Sequence, residues 1–133
     1  MNGAAVKAYS LTKDGTKKLS ENFKVKEFAC RDGSDVVFVS DKLVSVLQQI
    51  RSHFNARVII TSAYRTPVYN KKMGGATHSQ HLYGKAADFT VEGIAPKEVA
   101  RYAETLLLNT GGIGIYSSFV HIDDRAAKSR WTG

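Results

Sequence analysis

Between Gly74 and Phe89 the chain reads Gly-Gly-Ala-Thr-His-Ser-Gln-His-Leu-Tyr-Gly-Lys-Ala-Ala-Asp-Phe, and nowhere else do imidazoles, a carboxylate and glycines crowd together. On an unbroken helix His81 and Asp88 would stand about 10 Å apart along the axis, too far to share one ion. The chain must therefore bend between them. Gly84 supplies that freedom, and Ala86 and Ala87 are small enough for close packing where the chain enters an apolar strand at Phe89. Neutral imidazole with carboxylate suits zinc, which needs one more protein ligand and an open position for water.

His121 is the candidate third ligand. It lies in Phe119-Val120-His121-Ile122-Asp123, whose alternation predicts a short strand. Val120 and Ile122 then face the core, while Phe119, His121 and Asp123 face the site. His53 sits in a helical pattern on an exposed face, and His78 lies in the flexible approach loop. Spacing alone leaves a second reading open, in which His81 and His121 are ordinary polar residues making local hydrogen bonds.

The rest of the chain supplies a frame for that site. Ser40 is an N-cap, and Leu43, Leu47, Ile50 and Phe54 predict an amphipathic helix from about 40 to 54. Arg57-Val58-Ile59-Ile60 predicts a buried strand that delivers Ser62 to Arg65 at its carboxyl end. Thr66-Pro67 caps and opens a short helix that runs out at Gly74-Gly75. Pro96 opens another, with Val99, Ala103, Leu106 and Leu107 on one face, and Gly112 to Tyr116 forms a hairpin with the His121 strand. Asn22 to Phe28 alternates apolar and polar residues before a turn at Arg31-Asp32-Gly33. The elements make an α+β domain, an antiparallel sheet with helices packed on it. Residues 21–133 are expected to form that domain, and residues 1–20 a polar N-terminal arm or linker, loosely docked.

With 133 residues, 43% of them hydrophobic, the chain has material for a single core. A net charge of +7 attracts polyanions, yet the lysines are scattered and no nucleic-acid recognition motif appears, so nucleic acid is not an expected partner. No run of about 20 apolar residues exists to span a membrane. The first twenty residues lack the apolar run and cleavage site of a secretory signal. Cys30 is alone, which excludes an internal disulfide and a cysteine-rich metal site. A monomer is expected.

Three ordered motifs carry a family resemblance. Ser79-x-His81-x-x-Gly84-x-Ala86-x-Asp88, the later Phe119-Val120-His121-Ile122-Asp123, and the earlier Ser62-Ala63-Tyr64-Arg65-Thr66-Pro67 together resemble the signature of the zinc D-Ala-D-Ala peptidases of bacterial cell walls. The segment from Asp123 to Trp131 resembles the closing segment of the shorter carboxypeptidase-like members. The resemblance covers about residues 20 to 131 and implies the hedgehog/DD-peptidase fold. It further implies one zinc per chain on His81, Asp88 and His121, and a peptidoglycan stem peptide as substrate. Cleavage is then by a D,D-carboxypeptidase, a D,D-endopeptidase or a phage-type endolysin. Such an enzyme acts at the cell wall, reached by another export route, by phage lysis or as part of a longer protein.

Arg65 is the family's arginine near the metal, where a guanidinium can bind a substrate carboxylate or stabilise an oxyanion. The general base departs from the pattern. Many members carry a glutamate three residues before the last zinc histidine, others a histidine five before it; here those positions are Ser118 and Tyr116. Asp123, two residues beyond His121 on the same strand face, is the nearest carboxylate, either as base or as the group that orients a ligating imidazole. His78 is a possible proton shuttle, Tyr116 an oxyanion donor, and Ser79 a substrate-side hydroxyl or a local loop cap. The missing glutamate motivates an alternative, a zinc-stabilised wall-binding module with little or no turnover. Serine or cysteine catalysis ranks third, since no Gly-x-Ser-x-Gly elbow exists and Cys30 lies outside the site stretch.

Overall fold

The computed structural model describes residues 5–133. Its centre is a five-stranded sheet in the order β5-β6-β8-β7-β9, formed by β5 (Val58–Ser62), β6 (Ala86–Val91), β7 (Gly112–Ile115), β8 (Val120–Asp123) and β9 (Ser129–Thr132). Each neighbouring pair is antiparallel except β7 and β9, which run parallel. The architecture is α+β, as expected. The parallel edge strand β9 is an addition that the Asp123–Trp131 stretch did not reveal by pattern, because Arg-Trp-Thr offers no clean alternation.

Alternation fixes which side of the sheet is dry. Ile60, Phe89, Val91, Ile113, Val120 and Ile122 all point to one face and are buried with the apolar faces of two helices, α2 (Asp41–Phe54) and α4 (Pro96–Leu106). Helix α2 starts where the Ser40 hydroxyl accepts from the Leu43 amide at 3.2 Å, which satisfies an otherwise orphaned donor. It places Leu43, Leu47 and Ile50 in the core and stops at Asn55, whose left-handed φ of 47° ends the turn. Pro96 opens α4 as predicted, with Val99 and Ala103 buried. The short helix α3 (Pro67–Lys72) is capped by Thr66, also as predicted.

Residues 5–20 depart from the loose arm expected of residues 1–20; residues 1–4 lie outside the described residues. Strand β1 (Val6–Ser10) pairs antiparallel with β4 (Val36–Ser40), from Val6 opposite Ser40 to Ser10 opposite Val36. A single turn, α1 (Leu11–Asp14), follows, and β2 (Lys18–Ser20) pairs with β3 (Phe23–Lys24). The reason lies in β4. Its β-branched run leaves a row of peptide groups that need partners, and β1 supplies them although none of its own side chains is fully buried. The Asp35 carboxylate then ties the two segments by accepting from the Thr12 amide and the Ser10 hydroxyl, each at 2.8 Å. The alternation over Asn22 to Phe28 yields only the two-residue β3, and Val25–Phe28 winds into a 3-10 turn that buries Val25 and Phe28.

Gly84 is the joint between the 3-10 turn Gln80–Tyr83 and β6. Its φ is +71°, and a Cβ there would stand 2.4 Å from the Phe38 carbonyl oxygen. Gly84→Ala should therefore cost at least about 2 kcal/mol, from a left-handed backbone and a contact with main chain that cannot move aside. A urea titration reads this as a lower midpoint with unchanged slope; an unshifted midpoint would show that the joint relaxes freely.

Candidate metal centre

The polar face of the sheet carries one transverse row. Ser62 is opposite Asp88, Asp88 opposite His121, His121 opposite Gly114, and Gly114 opposite Trp131. Cross-strand pairing puts all five on the same side, away from the core, and Ser62 joins the row through a register shift between Ile60 and Ser62. Asp88 and His121 are therefore cross-strand neighbours, and His121 Nδ1 lies 2.9 Å from Asp88 Oδ1. His81 enters from the 3-10 turn, with Nε2 at 3.3 Å from Asp88 Oδ2. One ligand atom from each of the three lies within 4.8 Å of the others.

Both imidazoles are oriented from behind. The Ala63 carbonyl lies 2.7 Å from His81 Nδ1, and a carbonyl can only accept, so Nδ1 carries the hydrogen and Nε2 is the free ligand atom. His121 Nε2 faces Asp123 Oδ2 at 2.8 Å, which leaves Nδ1 as the atom turned to the cluster. This is how imidazole ligands are held at metal centres. Asp123 is buried and heavily engaged, accepting also from the Gly112 amide at 2.9 Å and from Arg125 Nε and Nη2 at 2.8 and 2.7 Å.

The charges are tuned to match. Burial alone would push the Asp88 carboxyl up, but hydrogen bonds from His121 and His81 outweigh it and hold the group well below the usual carboxylate range. Burial likewise opposes ionisation of Asp123, and His121 and Arg125 overcome it. For His121 burial acts downward, yet Asp123 and Asp88 prevail and raise the imidazole above its ordinary value.

Arg65 reaches the cluster, with Nη2 at 3.5 Å from Asp88 Oδ2. Its other nitrogens are held by Ser62 Oγ at 3.0 Å and Asn70 Oδ1 at 3.2 Å. Asn70 was not singled out from the sequence; it is buried in α3 and also donates to the Ala76 carbonyl at 2.9 Å. A Cβ at Gly75 would stand 2.1 Å from Asn70 Oδ1, so the glycine there makes room for the amide. Ser79 accepts from the His81 amide at 3.2 Å and so caps the turn that carries the ligand, while still lining the cleft. Tyr116 stacks on Phe119 and accepts from Trp131 Nε1 at 2.9 Å, which leaves its own hydroxyl hydrogen for another partner.

These groups enclose a cleft of about 440 Å³, which His78 and Arg125 also line. His78 is exposed on its loop wall. Ser118 is exposed in the β7–β8 turn and is not part of the wall. His53 is remote, stacked on Tyr102, and Cys30 is buried elsewhere. A larger depression of about 900 Å³ lies between β1, β2 and α2, but its lysines, amides and hydroxyls, with Asp41 and His53, form no metal-ligating cluster among the described residues. Convergent chemistry, not size, marks the smaller cleft as the site.

Arg125, Trp131 and the glycines of β7 are the participants that sequence reasoning missed. A Cβ at Gly114 would meet the Trp131 indole at 2.5 Å, and one at Gly112 would meet Asp123 Oδ2 at 2.3 Å. Alternate glycines on one face of a strand announce that something large lies across them, and Gly112-Ile113-Gly114-Ile115 carries that signal.

A model of the Peptidase M15 family matches residues 21–123. The probable peptidoglycan L,D-endopeptidase MepK of Haemophilus influenzae is 34% identical over 86 residues, 59% of this chain and 45% of that protein. Peptidoglycan L,D-endopeptidase MepK of Escherichia coli K12 is 38% identical over 78 residues, 53% of this chain and 42% of that protein. The matched stretch thus spans less than half of either relative.

Two outcomes follow from the geometry around His121. Were the cluster to hold zinc, Asp123→Asn should weaken its affinity by about 10- to 100-fold, because the ring loses its charged support; competition against a fluorescent chelator measures this, and unchanged affinity would show that Asp123 does not position the His121 ring. In metal-free protein the raised His121 value means that its stabilising contribution is complete below about pH 6.5 and lost as pH rises through the higher folded value. Metal takes the ring without its Nδ1 proton, so the gain in Tm from zinc should be larger at about pH 8 than at about pH 5.5. Equal gains at both values would contradict it.

Proposed function

Because the chain belongs to the M15 peptidase family, we propose that it is a zinc-dependent peptidase that hydrolyses a peptide bond of bacterial peptidoglycan at the cell wall. The observation that carries this reading is the convergence of His81, Asp88 and His121 within 4.8 Å, on two imidazoles already turned to offer one nitrogen each. Two nitrogens and a carboxylate oxygen are a ligand set that zinc accepts, and His81 Nε2, Asp88 and His121 Nδ1 are the groups that would hold it. What zinc supplies in such a set is an acidified water and a polarised carbonyl, the two needs of amide hydrolysis.

The protein's own groups divide the remaining work. Asp123 keeps the His121 ring in one orientation and, being saturated by Arg125 and the Gly112 amide, is a positioning residue and not the base. Arg65 holds Asp88 from the side and adds positive charge where an oxyanion develops. Tyr116 can donate its hydroxyl hydrogen to the same oxygen, since Trp131 already occupies it only as an acceptor. His78 on the cleft wall is the imidazole left to take the proton from the attacking water.

The relatives' printed activity favours an L,D bond, in place of the D,D bond implied by the first resemblance, and endopeptidase over carboxypeptidase action. One observation favours the non-catalytic alternative: among the described residues, no glutamate lines the cleft. Digestion of purified sacculi decides between them. Zinc-loaded protein should release soluble muropeptides, chelator should abolish release, and His81→Ala should reduce it by at least about 10³-fold. Mass spectrometry of the products identifies the bond. Zinc-loaded protein that binds sacculi and releases nothing would establish the wall-binding alternative.

A further inference from the structure

The cleft holds two guanidinium groups, at opposite ends of the transverse row. Arg65 stands at the Ser62–Asp88 end and Arg125 at the Trp131 end, where its guanidinium carbon lies 5.4 Å from the indole ring. Their donors are spent differently. Each of the three Arg65 nitrogens faces a protein acceptor, on Ser62, Asn70 and Asp88, and its side chain is only 15% exposed. Arg125 gives Nε and Nη2 to Asp123, whereas Nη1 has no hydrogen-bond partner among the described residues, and the side chain is 31% exposed on the cleft.

We propose that Arg125 is the residue that recognises a free carboxylate on the substrate, beside the bond to be cut, and that Arg65 is reserved for Asp88 and the reacting centre. This rests on the peptidase reading above. The geometry suits the task. Asp123 clamps one edge of the guanidinium through Nε and Nη2, and Trp131 flanks its plane, so the group is held rigid with the remaining Nη1 and Nη2 hydrogens available. A planar cation fixed in this way loses little freedom when it takes a carboxylate. Arg125 also contacts the aspartate that orients His121, so the bound carboxylate would lie on the His121 side of the cluster.

The ligand class is therefore a peptide with a free carboxylate within about one residue of the scissile amide, as opposed to the same peptide amidated. The test compares a stem tetrapeptide with its carboxamide on the zinc-loaded full chain, wild type against Arg125→Lys and Arg65→Lys. Binding is read by calorimetry and cleavage by chromatography. Wild type should prefer the free carboxylate by about 10- to 100-fold, the range of a charge-assisted hydrogen bond. Arg125→Lys should bring the preference close to unity with zinc content unchanged, and Arg65→Lys should leave the preference intact. A purely structural role for Arg125 would weaken both peptides equally and overturn the proposal, as would a preference that follows Arg65 or no preference in wild type. If sacculi are not cleaved but the calorimetric preference depends on Arg125, the peptidase reading fails and the carboxylate site stands.

Discussion

The structure depends on the pairing of Asp88 with His121 across two antiparallel strands. Because side chains alternate with period two, a slip of β8 by one residue against β6 would send His121 to the apolar face and bring Val120 into water. The core and the site thus enforce the same register. Ile60, Phe89 and Val120 hold it from one side of the sheet, while Ser62, Asp88 and His121 occupy the other. Of the three clustered side chains, that of His81 alone comes from outside the sheet. It reaches the row because Gly84 reverses the chain within van der Waals reach of Phe38, and because Ala86 and Ala87, both fully buried, let β6 begin immediately afterwards.

Burying charge in this way is costly unless every member is compensated. Here the signs alternate along the cleft: Arg65, Asp88, His121, Asp123, Arg125. In metal-free protein that alternation favours the charged form of His121 and of both carboxylates. Asp124, next in the chain, is a separate structural anchor. It accepts from the Ser40 hydroxyl at the start of α2 and lies 3.6 Å from Lys85 Nζ, so it ties β8 to the helix layer and has no share in the cleft.

Much of this was legible in the sequence. Caps at Ser40 and Thr66, the proline starts of two helices and the β-branched strands all use local rules, and local rules survive folding. The convergence of His81, Asp88 and His121 was readable because imidazoles are scarce and their spacing demanded a bend at a glycine. What escaped was decided by partners distant in sequence. Strand β1 buries little of its own and exists because β4 needs a neighbour. Strand β9 pairs in parallel through a connection that no periodicity marks. Asn70 and Arg125 look like any polar surface residues until Gly75, Gly112 and Gly114 are seen to clear space for the network in which they sit.

The Asp123 contacts change how proton transfer must be understood here. An aspartate two residues beyond a ligand on the same strand face can reach either past the ring or to its back, and sequence alone leaves both open. Four donors besides His121 converge on its two oxygens: the Gly112 amide, the Arg125 amide, and Arg125 Nε and Nη2. Accepting a proton would forfeit ionic bonds to a guanidinium in a buried setting, where an unpaired partner is expensive. The depressed pKa of Asp123 is the expression of that cost, and it makes the group a poor base near neutrality. Under the proposed peptidase reading, proton acceptance falls to the open wall of the cleft, where His78 is exposed. A base on an exposed loop is less well placed than a glutamate fixed on the strand would be, so turnover under that reading would depend on how substrate binding positions the His78 imidazole.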